Sequence, residues 1–581
     1  MSMAKNDSGN VNLTPLGKLI TILLIFGVIG LGVYILMGRS GQPAPQTPVQ
    51  PAAGTVRPGP PPVENMDPTG ITTVTEYKYV PAEKLPPVSG ASSYKWDPEK
   101  KILRFTYNVW AGWLPVIAAN GGTEPNDNSV FYKKYGFRVQ MVLMDDPITA
   151  RDAFIAGDVH TLWGTVDMMT LFAGGLTRDS RTAPRIVQQV DWSNGGDGIV
   201  VRGNIRSVGQ LKGKTIAYAP NAPSEYYLMS LLMTAGVSPR EIIAKNTDTA
   251  FGAAAAFVAD GKIDACVSWA PDIYNIPKNV AGAKILSSTA DANKLIADVY
   301  AVRADFMRDH PDIVKGLVSG IFEGMDIIAK DPEPACKWMA DAFKMPVDEV
   351  RDMRNDFHST NFAENVQFFL NSSNPTNFER TWKNASYVYG ELGRLDNLVP
   401  FDSVSDFSIV QKLQEEGAFS HQKDMSVVTF TPARLQKSPN RAEAIITQTI
   451  RINFYPNSSN PYEPARDEYG IIQQGKLYDM NVDKTLERVA QLSGQFARAI
   501  ILIEGHTDSS MKGRVPEAAV KELSFSRASA IKEALIEKYK FSPDKFIVEG
   551  KGWETPADPA SPMNQALNRR VEISVFPPEE E

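Results

Sequence analysis

The chain has 581 residues, a formal net charge of −7 at pH 7 and two cysteines. That length is beyond what one hydrophobic core supports, so roughly two to four domains are expected. The acidic balance, with no long basic block, argues against a nucleic-acid partner, and Cys266 and Cys336 fit no CxxC or zinc spacing, which leaves buried thiols as the simpler expectation and a bridge as the alternative.

The first element is the uncharged run "LITILLIFGVIGLGVYILMG", residues 19–38. At 1.5 Å per residue it spans about 30 Å, one bilayer core. Lys5 and Lys18 precede it and Arg39 follows, a modest bias toward a cytoplasmic 1–18 and a single-pass inner-membrane helix. A cleaved signal peptide is the rival, but the apolar core is long and "RSGQPAPQ" makes a poor cleavage site. Residues 39–95 read as a proline-rich linker, because "SGQPAPQTPVQPAAGTVRPGPPPVENMDP" cannot bury enough apolar surface to fold and favours extended segments.

From about residue 100 the pattern alternates. "KILRFTYNVW", "GFRVQMVLM" and "KGKTIAYA" read as strands. "DPITARDAFIAG" and "SEYYLMSLLMTAG" read as helices, the second with Ser224 as cap and Gly236 as stop. "TAFGAAAAFVADGKIDACVSWAP" repeats helix, glycine, strand. Such alternation predicts α/β domains with mainly parallel sheets, and the length suits two lobes around a cleft.

The pieces "FTYNVWAGWLPVIAANGG", "ARDAFIAGDVHTLWG", "RSVGQLKGKTIAY", "AAAAFVADGKIDACVSW" and "MRDHPDIVKGLV" resemble, in order, periplasmic substrate-binding proteins of the nitrate, sulfonate, taurine and thiamine-precursor group. The resemblance implies a two-lobed solute-binding domain over 96–400. Lobe 1 would take about 100–190 and 300–400, lobe 2 about 200–290, with crossings near "DWSNGGDG" and "LIADVYAV". It also implies a small polar solute and a possible ABC permease as partners.

Clefts of open α/β sheets lie beyond the carboxyl ends of strands, often at helix N-termini. Candidate solute-binding residues are therefore Trp110 and Trp113 after the first strand, Ser224 at a helix start, Trp269 and Asp272 after "IDACVSW", and Asn194 and Asp197 at the proposed hinge. Each has a plainer role, the tryptophans as packing and the polar residues as caps or turns. Glu225 in the first turn weakens the case for an anionic solute at Ser224. No GxSxG, HExxH or P-loop is present, so no enzyme is expected.

Residues 401–445 read as a connecting region. Then follow strand "TIRINFYP", helix "DKTLERVAQLSGQF", strand "AILIEG", helix "SFSRASAIKEALIEKY" and strands "KFIVEGKG" and "NRRVEISVF", which predict a small α+β sandwich over 446–581. "EGHTD", "LSFSRASAI", "VEGKGWETP" and "NRRVEISV" resemble the OmpA-like domain, also found in MotB and Pal proteins. That family implies binding of the peptidoglycan stem peptide through its diaminopimelate-type residue. Asp508 would take the ammonium and Arg527 the carboxylate, Thr507 and Arg570 would line or support the pocket, and His506 would steady the loop. The customary tyrosine-asparagine pair before Leu523 is replaced by Ala519 and Val520, which puts one ligand hydrogen bond in doubt. No second histidine or cysteine stands at a ligand spacing from His506, so neither metal nor cofactor is expected.

The whole chain thus reads as multidomain: a transmembrane helix, a two-lobed α/β binding-protein fold and a C-terminal α+β domain. The expected function is a membrane-anchored periplasmic binding protein that captures a small polar solute, tethers to peptidoglycan and serves ABC-type uptake. The alternative is an envelope sensor or scaffold with a binding-protein fold that delivers nothing to a permease. A stator-like ion-channel partner lacks the intramembrane acid it would need, and a wall hydrolase lacks a nucleophile or metal set.

Overall fold

The computed structural model describes residues 71–81, 85–426 and 444–577. The apolar run 19–38 lies outside the described residues, and no described helix is long and apolar enough to cross a membrane. The two longest helices, Pro311–Lys330 and Glu517–Tyr539, carry charges along their length, among them Lys315, Glu323, Lys521 and Glu533. The fold class is corrected accordingly, to a two-lobed α/β body followed by an α+β domain, and the single-pass inner-membrane localisation is withdrawn.

The first lobe begins with strands Ile102–Tyr107 and Arg138–Leu143, paired in parallel. Beside them stands a four-stranded sheet in the order Phe357–Ser359, Pro184–Ser193, Ala297–Arg303, Thr161–Thr165. It is antiparallel throughout, against the expected parallel pattern. The reason is topological. Pro184–Ser193 carries the chain out of the lobe and Ala297–Arg303 brings it back, so the two run in opposite senses. Side chains join the two sheets: Arg104 N donates to His160 Nδ1 at 2.9 Å and Thr106 Oγ1 donates to the Thr161 carbonyl at 2.9 Å.

The second lobe is a mixed five-stranded sheet in the order Ile243–Asn246, Thr215–Tyr218, Ala265–Trp269, Asp197–Arg202, Ala283–Ser288. A polar knot ties its two crossings to the first lobe. Ser193 Oγ donates to Asp197 Oδ2 at 2.8 Å, while the Gly195 and Asp197 amides donate to Thr289 Oγ1 at 2.9 and 3.1 Å.

Part of the stretch read as linker is packed. Val80 N donates to the Asn246 carbonyl at 3.0 Å and Asp248 N to the Lys78 carbonyl at 3.1 Å, on lobe 2. Ser92 N donates to the Ile155 carbonyl at 3.1 Å and Lys95 N to Gly157 at 2.9 Å, on lobe 1. Backbone groups make these bonds, so composition gave no sign of them.

In the C-terminal domain the sheet order is Ile446–Ile450, Arg570–Phe576, Ile500–His506, Phe546–Gly552. Helix Glu517–Tyr539 presses on it so closely that a Cβ on Gly505 would stand 2.1 Å from the Ser524 carbonyl, and one on Gly550 2.3 Å from that of Lys521. A hairpin, Pro464–Arg466 with Ile472–Leu477, is inserted before helix Val482–Gln495.

Candidate functional site

A cavity of about 270 Å³ opens in the C-terminal domain, lined by Asn453, Phe454, Tyr478, His506, Arg527, Arg569 and Arg570 among others. Three arginines thus line one small space. Arg527 comes from the middle of helix Glu517–Tyr539. Its Nε donates to the Ser458 carbonyl at 3.1 Å and its guanidinium lies 5.0 Å from the centre of the Phe454 ring. Burial, with the nearby Arg569 charge, lowers its pKa to about 10. A half-desolvated guanidinium of this kind gains most from a carboxylate that offers two parallel acceptors.

Asp508 follows strand Ile500–His506. Its Oδ1 accepts from Ser510 N at 2.9 Å and its Oδ2 from Arg569 Nε at 2.5 Å. Burial works to raise its pKa, but the Ser510 hydrogen bonds and the Arg569 guanidinium outweigh it and hold the carboxyl below the usual range. Arg570 is a structural neighbour: it is buried, pairs with Glu572 at 2.7 Å and donates to the Thr555 carbonyl at 3.0 Å. His506 is buried with Nδ1 3.1 Å from Thr555 Oγ1. Thr507 donates its amide to the Gly552 carbonyl at 2.7 Å and is buried. Arg569 is the residue that sequence reasoning missed. "NRR" offered two arginines, and side-chain direction along the strand entry decided which one meets Asp508.

The residues proposed for the cleft divide. Trp110 is half-buried; its Nε1 donates to the Asp191 oxygens at 3.2 and 3.3 Å and its ring crowds Gly196, where a Cβ would stand 2.6 Å away. Trp269 pairs in register with Asp197 and meets Phe251 edge-on at 5.7 Å. Asn194 donates its amide to the Asp356 carbonyl at 2.8 Å. These residues and Asp197 gather at the hinge. Trp113 does not: it is fully buried and its Nε1 donates to Asn108 at 2.7 Å. Asp272 turns to the N-terminal segment instead, accepting from Thr73 N and Oγ1 at 2.8 and 2.7 Å.

Ser224 is not the helix cap. Helix Pro223–Thr234 starts with Ala222 at the capping position and no side-chain cap. Pro223, with no amide hydrogen and a fixed φ, suits the first helical position and pushes Ser224 to the second. The anion at this N-terminus is Glu225, fully buried, accepting from Asn221 N at 2.7 Å and ion-paired with Arg394 at 2.8 Å. Asn384 Nδ2 donates to Tyr226 Oη at 2.8 Å beside it. Residues 384–394 of lobe 1 therefore close on lobe 2, with the Glu225–Arg394 pair at the N-terminus of helix Pro223–Thr234.

The hinge is also crowded with buried acids. Burial pushes Asp197 up to about 7 and Asp167 up to about 6. Burial raises Asp191 and Asp298 as well, which face each other across adjacent strands. Among the described residues no group of three or more His, Cys, Asp or Glu side chains is placed to hold a metal ion.

Residues 131–335 match the NMT1/THI5 like family and residues 474–570 the OmpA family. The chain is a periplasmic-binding-protein-like domain fused to an OmpA-like domain. The outer membrane protein Omp38 of Acinetobacter baumannii is 26% identical over 148 residues, which are 25% of this chain and 36% of that protein. The taurine-binding periplasmic protein of Escherichia coli strain K12 is 27% identical over 151 residues, 24% of this chain and 46% of that protein. The chain thus spans less than half the length of either relative. The periplasmic aliphatic sulphonate binding protein SsuA of Escherichia coli superposes with a TM-score of 0.41 at 17% identity, covering 52% of this chain and 91% of that one.

These findings also correct the anchored-uptake function. No described helix is suited to a membrane, and neither the two matched families nor the geometry of the two domains supplies an inner-membrane attachment or a permease partner for this chain.

Proposed function

We propose that this chain is a peptidoglycan-bound sensor or scaffold in which a binding-protein fold has been kept without delivery of solute. The observation that carries this reading is the cavity of the OmpA-like domain, a space of about 270 Å³ that Arg527 lines. The ligand assigned to it is the diamino acid of a stem peptide. Its carboxylate would pair with Arg527 in two parallel bonds. Its ammonium would take Asp508 in exchange for Arg569, which already shows that this carboxylate accepts a cation. His506 and Arg570 would hold the walls, with Thr507 supporting the loop behind them. On the binding-protein side, the buried Glu225–Arg394 pair supports a scaffold, since a small polar solute would have to separate two desolvated charges to enter.

Co-sedimentation of the full chain with purified sacculi tests this. The parent should pellet with the wall, and Asp508→Ala and Arg527→Ala should each stay in the supernatant while their circular dichroism matches the parent. Removing one partner of such a charge pair costs about 2–5 kcal/mol. If both variants sediment as the parent does, the wall-binding role is wrong.

A further inference from the structure

The OmpA-like domain docks on the binding-protein-like domain at three places, on both sides of its hinge. On lobe 1, Glu487 of helix Val482–Gln495 accepts from Arg380 Nε at 2.9 Å, and Gln491 Nε2 donates to the Arg380 carbonyl at 3.2 Å. Gly494 of the same helix lies so close that a Cβ there would stand 2.9 Å from both Pro375 and Thr376. At the second crossing, Lys294 N donates to the Gln495 carbonyl at 3.1 Å and Ala497 N to Asn293 Oδ1 at 3.0 Å. On lobe 2, Val208 N donates to the Ile445 carbonyl at 3.0 Å. A cavity of about 530 Å³ lies just beside this last contact, between Asn204, Arg206 and Ser207 on one side and Ala444 and Thr447 on the other.

Two-lobed binding folds open by rotation about the segments that cross between the lobes. A domain with one continuous sheet, seated on both lobes and on the crossing, cannot follow two bodies that rotate apart. One set of its contacts must break before the cleft opens. The lobe 1 set is the one that side chains dominate: one ion pair, one amide bond and the glycine contact. At the other two a backbone amide donates every bond, to two carbonyls and to Asn293 Oδ1.

We infer that the OmpA-like domain is a clamp on the binding-protein-like domain, so that opening of the cleft requires release of helix Val482–Gln495 from residues 375–380. The coupling is reciprocal by thermodynamic necessity. Whatever loosens the helix favours the open lobes, and whatever spreads the lobes loosens the helix. The clamp is independent of which ligand the Arg527 cavity holds, because neither Glu487 nor Gly494 lines that cavity.

The test uses the full chain with spin labels at Lys262→Cys on lobe 2 and Lys330→Cys on lobe 1, both exposed, while native Cys266 and Cys336 are buried. Pulsed dipolar spectroscopy should give one narrow distance distribution. Glu487→Lys, at a half-exposed position, places like charges against Arg380, and Gly494→Val drives a side chain into Pro375. Each should shift the distribution to longer separation or add a longer population. Glu487→Lys keeps the test decisive if Gly494→Val does not fold. Parent-like distributions in the folded variants would overturn the clamp. Sacculus binding by the same variants is a separate readout, so loss of wall binding and loss of the clamp are distinguishable.

Discussion

At the scale of single residues, buried carboxyls of the binding-protein-like domain set how stability responds to pH. Asp167, Asp197, Asp272, Asp291 and Asp356 all have carboxyl pKa values raised by burial, to between about 6 and about 7. A carboxyl raised in the folded state binds its proton there after the unfolded chain has lost it. Its stabilising contribution is complete below the unfolded value near 4 and is lost as pH rises through the folded value, at about 1.4 kcal/mol per pH unit for each group. His160, lowered by burial to about 4, works the other way over part of this range, and Lys545, lowered by burial to about 7, works the other way above neutrality. His310 is lowered by burial too, and the raised acids, which also include Asp191 and Asp298, outnumber the two histidines. The melting temperature should therefore fall between pH 4.5 and pH 7, and Asp197→Asn should flatten the slope. A melting temperature that rises across this range would show that the acids are ionised and paired. Sequence reading found Asp197 and Asp272 because they stand beside a glycine-rich turn and a strand end. It missed Asp191 and Asp298, since nothing local marks two aspartates that become neighbours only when distant strands pair.

At the scale of elements, the C-terminal domain was legible because its motifs are local. "AILIEG", "SFSRASAIKEALIEKY" and "NRRVEISVF" each carry their own pattern; the strands lie where those patterns place them, and the second helix begins earlier than its motif, at Glu517. The antiparallel sheet of lobe 1, the packed segments 71–81 and 85–96 and the hairpin at 464–477 depend on pairings between distant backbone groups, and no residue pattern announces them. The close seat of helix Glu517–Tyr539 explains two glycines that sequence alone left without a role. Gly505→Ala and Gly550→Ala should each destabilise the full chain by about 1–3 kcal/mol, because overpacking here meets backbone carbonyls and not flexible side chains. Chemical denaturation followed by the fluorescence of a C-terminal tryptophan, Trp553, would read this out. Parent-like midpoints would mean that the helix can move away from the sheet at no cost.

At the scale of the molecule, two domains that sequence separates by a connecting region are docked through Arg380, Asn293, Lys294 and Val208. These residues are unremarkable in sequence and acquire a role only from the assembled surface. Closure of lobe 1 on Glu225 through Arg394 likewise joins positions 169 residues apart. The proposed wall-binding role requires the Arg527 cavity to recognise a charged stem peptide. The most direct test is calorimetric titration of the full chain with a soluble stem peptide whose diamino acid carries a free ammonium and a free carboxylate. Saturable one-site binding is predicted, weakened by Arg527→Lys, which removes the two-pronged grip, and abolished by Arg527→Ala. Undetectable binding by the parent, or equal affinity in Arg527→Ala, would contradict the account.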